Sequence, residues 1–491
     1  MSNKYILGIE TSCDDTSIGY ISLNGEVVKH YTYNQIEHVK FRGVVPTLAA
    51  RKHLDNIQDV MKRVLEDISI DDIVGVAVTV GPGLIASLMI GVNYAKMLAH
   101  ILNVKFIPIH HLEGHIFSVY IHRCQERYEY NRKIEIDWKI ENKEMKSDDK
   151  IILDNVENEL QKKRIENDRK EVTEEMIREE LKKLSSNKLI KYPYLTLLVS
   201  GGHTQYILAY DFMKYEIIGS TIDDALGECF DKVGIMLGLE YPAGPKIEEL
   251  AKKGSFDAYD LPLPLINDKY KCNMSFSGLK TAVMRLVNSL HSNFVRYADK
   301  VDNMSKEVNC DENDSDINSY YDIEKNKHRN NKYSGDSIDG EQNNKDNINF
   351  RSNLNKKFRV NHDDLKGKNI GSTSLNSSLP NNIRADIAAS FQYCIGRILE
   401  MKTRIALQKL IDKNVFINSF VIAGGVSANQ YISNILYNLC KEYGVEYMSP
   451  QLEFCMDNGS MIARVGLEYF AQGYFLKQKN AIAKWNIEDL K

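Results

Sequence analysis

The sequence predicts an α/β fold built from two similar lobes. Residues 5–23 have the pattern of a strand, a turn rich in hydroxyl and carboxylate side chains, and a second strand. Residues 194–210 repeat this order around a turn that contains two glycines. Apolar strands and helices alternate after each hairpin, which is the pattern of mixed sheets covered by helices. A duplicated chain of this kind is expected to hold its ligand between the lobes.

The composition is that of an ordinary globular protein with room for more than one domain. The chain has 491 residues, of which 43% are hydrophobic. Its formal net charge of −4 provides no overall attraction to polyanions, so a nucleic acid would have to bind a local basic face. The cysteines form no C-x-x-C pair, which disfavours a zinc ribbon or a disulfide framework and indicates reduced thiols in an intracellular protein. They are Cys13, Cys124, Cys229, Cys272, Cys310, Cys394, Cys440 and Cys455.

Membrane and targeting segments are not expected. No run of about 18 consecutive apolar residues occurs, and the first predicted strand begins at Tyr5. We therefore expect a cytoplasmic protein without a membrane partner, with the mitochondrial or plastid matrix as the alternative.

The first lobe is predicted to contain a meander followed by two strand and helix units. Its first turn, residues 11–17, could wrap a phosphate or the metal ion of a phosphate, or could simply satisfy its own backbone. Residues 81–83, Gly-Pro-Gly, would place backbone N–H groups at an anion site, or would only form a tight turn. The predicted strands are 5–10, 18–23, 26–33, 73–80 and 105–109, and the predicted helices are 47–67 and 84–102.

Two histidines follow the last of these strands with helical spacing. Residues four positions apart share a helix face with Cβ atoms about 5–6 Å apart, so His111 and His115 could bind one metal ion. The alternative is a pair of surface histidines. A metal site needs at least a third ligand, and Asp457, at the start of a late helix, is the candidate. Alone, Asp457 could equally be an N-cap.

The second lobe is predicted to begin with the hairpin at 194–210, where Gly201 and Gly202 let a ligand approach the backbone closely. Near its end, a strand at 419–422 leads through two further glycines into a helix. A Gly-Gly turn at a helix N-terminus suits an adenosine moiety, and Asn429 could bond a ribose or a base.

Two segments differ in composition from the rest of the chain. Residues 124–191 are predicted to be a charged helical insertion. Residues 299–380 are rich in Asn, Asp, Ser and Lys and are predicted to be disordered, because they could not bury enough apolar surface to offset their chain entropy. The first lobe is then 1–123 plus 450–491, and the second is 192–298 plus 381–449.

Taken together, the motifs resemble one family, the tRNA N6-adenosine threonylcarbamoyltransferases or TsaD family, once described as glycoproteases. The match covers everything outside the two insertions. The motifs, in chain order, are Ile9-Glu10-Thr11-Ser12-Cys13-Asp14-Asp15-Thr16, Gly43-Val44-Val45-Pro46, Gly81-Pro82-Gly83-Leu84, His111-Leu112-Glu113-Gly114-His115, Leu198-Val199-Ser200-Gly201-Gly202-His203-Thr204-Gln205, Asp231-Lys232, Tyr241-Pro242-Ala243-Gly244-Pro245, Ser275-Phe276-Ser277-Gly278-Leu279-Lys280-Thr281, Ala423-Gly424-Gly425-Val426-Ser427-Ala428-Asn429 and Asp457-Asn458-Gly459.

The resemblance implies a fold and a reaction. The fold would be the two-lobed, duplicated, RNase H-like fold of actin, the sugar kinases and the heat-shock ATPases. The reaction would be an acyl transfer. It would move the threonylcarbamoyl group from threonylcarbamoyl-AMP to N6 of adenosine 37 in tRNAs that read codons beginning with A.

The resemblance also implies the residues of the site. One divalent metal ion per subunit, Fe(II) by preference and Zn(II) as the alternative, would be held by His111, His115 and Asp457. The adenylate would be bound by Leu198, Val199, Ser200, Gly201, Gly202, Asp231, Gly244 and Asn429. No Ser-His-Asp or Cys-His arrangement is evident, so we expect direct attack by the tRNA amine. Glu10, Asp14 and Asp15 are candidate proton acceptors.

The residues within these motifs resemble those of the bacterial and organellar branch of the family. That branch implies a TsaB-like paralogous subunit and a TsaE-like ATPase as partners, or a homodimer, besides tRNA. The chain departs from the family pattern at Ala243, where glycine is usual, and in its two insertions.

Three other activities fit parts of the pattern. A zinc protease needs the sequence H-E-x-x-H, but Leu112 follows the first histidine and Glu113 is displaced by about 100° around the helix. A non-catalytic scaffold member of the superfamily would lack the metal ligands. A sugar kinase or ATPase of the same fold would turn over ATP without tRNA.

Overall fold

The computed structural model describes residues 4–41, 43–66, 68–123, 191–266, 268, 271–308, 379–473, 475–476 and 480–490. The chain divides into two compact units, Met1–Asn288 with Leu379–Lys491, and Ser289–Ser378. Both sheets belong to the first unit. The predicted insertion at 124–191, apart from residue 191, and residues 309–378 of the predicted disordered segment lie outside the described residues. Within residues 299–308, where disorder was predicted, the backbone is helical.

The first sheet has six strands, β1 (Tyr5–Glu10), β2 (Asp15–Ser22), β3 (Glu26–Asn34), β4 (Ile73–Gly81), β5 (Lys105–His110) and β6 (His122–Arg123). Their order across the sheet is β5-β4-β1-β2-β3-β6. The first three strands form an antiparallel meander, whereas β4 pairs parallel with β1 and β5 pairs parallel with β4. The carboxyl ends of β1, β4 and β5 therefore lie at one edge, where α/β sheets commonly bind ligands.

The second sheet has five strands, β7 (Tyr194–Val199), β8 (Thr204–Asp211), β9 (Lys214–Ser220), β10 (Ser419–Ala423) and β11 (Glu446–Met448). Their order is β11-β10-β7-β8-β9. Again an antiparallel meander is followed by two parallel strands. This order matches β5-β4-β1-β2-β3 of the first sheet strand for strand. The predicted duplicated α/β fold is confirmed.

Nine helices are described, α1 (Pro46–Leu65), α2 (Ile85–Leu102), α3 (His111–Phe117), α4 (Leu226–Met236), α5 (Gly244–Ala251), α6 (Ser277–Val308), α7 (Asn381–Asp412), α8 (Gln430–Tyr443) and α9 (Gly459–Gln472). Alternate residues of β1 face opposite sides of the first sheet. Leu7 and Ile9 pack with α1 and α2, whereas Ile6 packs with α9. The first sheet is thus covered by helices on both faces.

Helix α9 lies very close to the first sheet because glycines face each other. A Cβ atom on Gly8 of β1 would lie 2.1 Å from the carbonyl oxygen of Gly459, the first residue of α9. Backbone atoms cannot move aside as a side chain can, so only glycine fits at this contact. The contact places Asp457, two residues before α9, near the carboxyl end of β1.

Helix α2 is long and apolar enough, by length and composition, to cross a membrane, with a mean hydropathy of 1.4 over 18 residues. It is the one such helix within the described part of the chain. Val92, Ala95 and Leu98 pack into the core beside the first sheet. The opposite face exposes Ile85, Met89, Met97 and Ile101.

Several boundaries differ from those predicted. Strand β2 begins at Asp15 rather than at residue 18, because the backbone of the polar residues 15–17 continues the ladders with β1 and β3. The N-cap of α9 is Asn458, whose side chain accepts from Met461 N at 2.8 Å. Asp457 is therefore not the N-cap, and its carboxylate does not accept the capping hydrogen bond of α9.

Candidate active site

The histidine pair lies on α3, which begins directly after β5. His111 and His115 are both buried, and their ring centroids are 4.8 Å apart. The residue before them caps the helix: His110 Nδ1 accepts from Leu112 N, while His110 Nε2 lies 3.2 Å from Trp485 O. This pairing corresponds to a neutral ring with its proton on Nε2. Burial lowers the pKa of His110 to about 3, which is consistent with a neutral ring.

Asp457 meets the two histidines at the edge of the first sheet. Its Oδ1 atom is 3.1 Å from His115 Nε2 and 3.7 Å from His111 Nε2. One ligand atom from each residue can be chosen so that all three lie within 4.8 Å of one another. Ligands bound tetrahedrally at about 2.0–2.1 Å are roughly 3.3 Å apart, and the distances of 3.1 Å and 3.7 Å from Asp457 are close to this value.

The donor atoms fit a divalent cation in other respects. Within the described part of the chain, Nδ1 of the buried His115 has no hydrogen-bond partner, and Nε2 faces only the Asp457 carboxylate. Such orphaned polar atoms are costly unless something binds them. Two imidazoles and a carboxylate suit Fe(II) and Zn(II) equally. The geometry therefore supports a metal site without selecting the metal.

Glu10, at the end of β1, is tied to the first histidine. His111 Nδ1 lies 3.1 Å from Glu10 Oε2, and Glu10 also accepts from Thr79 Oγ1 and from Ser12 N. Although burial opposes ionisation, the charge and hydrogen bond of His111 keep the pKa of Glu10 below its usual value. Glu10 thus orients the His111 ring so that Nε2 points towards Asp457, an arrangement common behind metal-binding histidines.

The turn between β1 and β2 carries the other two acidic candidates, Asp14 and Asp15. Burial, with the nearby charges of Asp14 and Asp457, raises the pKa of Asp15 to about 8. Burial also raises the pKa of Asp14. Asn34 donates to Asp15 Oδ1 at 2.8 Å. The turn therefore carries two carboxyl groups whose pKa values lie above the usual value for aspartate.

The turn between β7 and β8 places the second lobe against this site. Leu198 and Val199 are buried in β7, and Ser200 closes the turn, because its N–H donates to His203 O and its Oγ accepts from His203 N. A Cβ atom on Gly201 or Gly202 would meet nothing within 4 Å, so this stretch is open to a ligand. Burial and the charges of His111 and His115 lower the pKa of His203 to about 4, which places His203 near both histidines.

Three further predicted adenylate residues lie on the second lobe, and two of them already have protein partners. Asp231 Oδ1 accepts from Ala243 N at 2.8 Å, beside Gly244, where the space for a Cβ is open. Asn429 caps α8 by accepting from Ile432 N and donates to Gln392 Oε1. Burial raises the pKa of Asp231, and the negative charge of Asp14, in the first lobe, adds to this.

The glutamate of the H-L-E-G-H motif points away from the histidines. Glu113 is buried, and its carboxylate accepts from Tyr215 and Tyr469. Burial raises its pKa to about 7 against the effect of these hydrogen bonds. Leu112, in the position that a zinc protease gives to its glutamate, is an apolar core residue. The site therefore lacks the general base of that protease class.

A model of the TsaD family, tRNA N6-adenosine threonylcarbamoyltransferase, matches residues 26–129 and 179–464. The chain belongs to this family. The tRNA N6-adenosine threonylcarbamoyltransferase of Rickettsia akari (strain Hartford) is 34% identical, over 99% of each chain. That of Rickettsia bellii (strain OSU 85-389) is 33% identical, over 99% of this chain and 100% of its own. The family agrees with the duplicated, actin-like fold.

Solved structures resemble the chain only weakly. The full-length HypF structure in its phosphate- and nucleotide-bound form is 11% identical, with a TM-score of 0.40, over 95% of this chain and 46% of its own. Component A of the (R)-2-hydroxyglutaryl-CoA dehydratase of Acidaminococcus fermentans is 10% identical, with a TM-score of 0.39, over 95% and 99%. Likenesses of this size do not identify a function.

Some residues of the site were not selected from the sequence. His203 lies in the motif at residues 198–205, where an imidazole beside two glycines is a signal that the sequence does contain. Thr79 and Ser12, which surround Glu10, are ordinary strand and turn residues, and no local pattern distinguishes them. The roles assigned to Glu10, Asp14, Asp15 and the adenylate residues stay predictions.

Proposed function

We propose that this chain transfers the threonylcarbamoyl group from threonylcarbamoyl-AMP to N6 of adenosine 37 in tRNAs that read codons beginning with A. One observation supports this most strongly: in a chain of the TsaD family, the His111, His115 and Asp457 group lies beside the open glycine turn of the second lobe. An acyl-adenylate bound at that turn would present its reactive end to the group of metal ligands.

We propose that His111, His115 and Asp457 hold one divalent ion, Fe(II) by preference and Zn(II) as the alternative. Bound there, the ion supplies Lewis-acid polarisation of the acyl carbonyl or the phosphate. Glu10 acts behind the ligands, because its contact with His111 Nδ1 fixes the ring with Nε2 turned inwards.

The adenylate is proposed to lie along residues 198–202. The open space at Gly201, Gly202 and Gly244 lets backbone N–H groups approach phosphate or ribose oxygens without a Cβ in the way. Asp231 shapes this site by holding the backbone at Ala243, and its second oxygen can accept from a ribose hydroxyl. The second amide N–H of Asn429 and the second lone pair of its side-chain oxygen can bind a ribose or a base.

The proton released by the attacking amine is proposed to reach Asp14 or Asp15. A carboxylate whose pKa lies near neutral pH accepts a proton in the transition state and releases it afterwards. Asp15, with its pKa raised to about 8, has this property. Glu10 is the weaker candidate, because both its oxygens already accept hydrogen bonds.

We further propose that the exposed apolar face of α2 binds a TsaB-like paralogous subunit. Ile85, Met89, Met97 and Ile101 form an apolar surface typical of a protein interface. A TsaE-like ATPase is proposed as the second partner, and self-association is the alternative use of this face. Size-exclusion chromatography of Met97→Glu, alone and with the paralogue, shows whether this face binds the paralogue or a second copy of the chain.

A cytoplasmic location is proposed from the scattered cysteines and is tested by cell fractionation.

The decisive experiment is mass spectrometry of tRNA nucleosides. A strain that lacks the endogenous enzyme should regain threonylcarbamoyladenosine when it expresses this chain with its partners, and His115→Ala should not restore it. Failure of the wild-type chain in the presence of the partners would reject the proposed reaction. If the purified protein instead cleaved a peptide substrate, that result would support the alternative of a zinc protease.

A further inference from the structure

Glu113 joins three elements of the fold through one buried carboxylate. Its Oε1 atom accepts from the Tyr215 hydroxyl at 2.8 Å, and its Oε2 atom accepts from the Tyr469 hydroxyl at 2.8 Å. All three side chains are buried. A buried carboxylate without such donors would be costly, so this arrangement strongly constrains where α3 can lie.

The two tyrosines come from elements with different tasks. Tyr469 belongs to α9, the helix that follows Asp457, whereas His111 and His115 belong to α3. The link from Oε2 therefore joins the helix that carries the two histidines to the helix that directly follows Asp457. Tyr215 belongs to β9 of the second sheet, whose β7–β8 turn is the proposed adenylate site. The link from Oε1 therefore joins the metal-ligand helix to the adenylate lobe.

Glu113 cannot itself serve as a ligand of the same ion. It stands two residues from each histidine, about 200° around the helix, and its carboxylate is turned to the tyrosines instead. Any effect of Glu113 on the site must therefore pass through the position of α3.

We propose that Glu113 is a positioning residue with two separable tasks, an inference that rests on the proposed function. Its bond to Tyr469 holds the three metal ligands in register. Its bond to Tyr215 sets the separation between the metal-ligand group and the adenylate turn. Losing the first link should weaken metal binding, and losing the second should slow acyl transfer while metal binding stays normal.

Two single substitutions separate the tasks. Tyr469→Phe and Tyr215→Phe each remove one hydroxyl and leave the ring packing in place. The matched control is Tyr206→Phe, which removes a buried hydroxyl bonded at 2.8 Å to Thr403 Oγ1, with no link to α3. Co²⁺ serves as the metal probe: its dissociation constant and its visible spectrum are measured on the full chain. The kcat and KM are measured with threonylcarbamoyl-AMP and tRNA at saturating Co²⁺.

The two variants should differ in kind. Tyr469→Phe should raise the dissociation constant for Co²⁺ about tenfold, the size of effect seen when a group that orients metal ligands is lost. Tyr215→Phe should change that constant by less than about twofold, because the bond from Tyr469 still holds Glu113. It should lower kcat about tenfold, because small misplacements of reacting groups are costly. The loss stays partial because Ile217 N also binds Glu488, which ties β9 to the C-terminal segment.

The outcomes are decisive in each direction. If both variants match Tyr206→Phe, or if both lower metal affinity and kcat together, the division of tasks is overturned. If either variant fails to fold, Glu113→Leu replaces it: leucine accepts no hydrogen bond from either tyrosine, so Co²⁺ affinity and kcat should both fall. Normal values for both would overturn the proposal. A wild-type chain that is inactive in the presence of its partners would reject the proposed function, while the Co²⁺ measurements would still test the Tyr469 link.

Discussion

Replacing Asp457 with alanine tests whether the residue that closes the group of metal ligands is needed for binding. The carboxylate lies 3.1 Å and 3.7 Å from the two imidazole Nε2 atoms, so its loss leaves two ligands. Loss of a group that only orients a ligand costs about 10–100-fold in affinity. Loss of the ligand itself should therefore cost at least about 100-fold, or about 2.7 kcal/mol, since each tenfold is about 1.4 kcal/mol.

Thermal unfolding with and without Zn²⁺ measures this cost. At a free concentration of about 100 times the wild-type Kd, the ion stabilises the wild-type protein by about 2.7 kcal/mol. If the substitution raises Kd about 100-fold, the same concentration stabilises the variant by only about 0.4 kcal/mol. The metal-dependent rise in Tm should nearly disappear, and the nucleoside assay should detect no threonylcarbamoyladenosine. In the absence of metal the variant should still unfold cooperatively.

His100→Ala is the control, because this exposed histidine of α2 lies outside the site. It should keep the full metal-dependent rise in Tm. A wild-type-like response of Asp457→Ala, or retained tRNA modification, would refute the assignment of this carboxylate as a ligand.

Four further predictions follow from the same contacts. Glu10→Gln should weaken Zn²⁺ binding by about 10–100-fold in a calorimetric titration, because the partner that orients His111 changes from a carboxylate to an amide; an unchanged Kd would contradict that role. Asp15→Asn should become more stable relative to wild type as pH rises from about 4 to about 8 in metal-free protein. In that window the folded carboxyl group, with its pKa near 8, holds a proton that the unfolded one has lost, so wild-type stability falls; parallel denaturation midpoints across this range would count against the raised pKa. Gly424→Ala should lower the free energy of unfolding by more than about 1 kcal/mol and raise KM for threonylcarbamoyl-AMP, because φ is +90° and the new Cβ would lie 2.5 Å from Val199 O; an unaltered KM would mean that the glycine turn does not contact the substrate. Deleting residues 309–375 should leave tRNA modification intact, and an inactive but folded deletion would show that the segment has a role.

Local patterns were enough to predict the duplicated fold. A strand, a polar turn and a strand can be recognised because side chains alternate along the backbone, and the histidine pair could be placed on one helix face for the same kind of reason. Even so, the pattern missed β9, whose buried residues do not alternate regularly with the others, and it began β2 three residues late. The backbone ladder continues through residues that look like a turn.

The approach of distant residues was decided by tertiary structure. The sequence alone identified two histidines one turn apart and suggested Asp457, but that aspartate could equally have capped α9. The packing of Gly459 against Gly8 and the use of Asn458 as the cap left its carboxylate facing the imidazoles. Likewise, only the packed structure turns Glu113 towards two tyrosines. Periodicity depends only on neighbouring residues, so the sequence shows it directly. Contacts between residues far apart in the chain depend on which surfaces can pack most closely, and only the packed chain determines that.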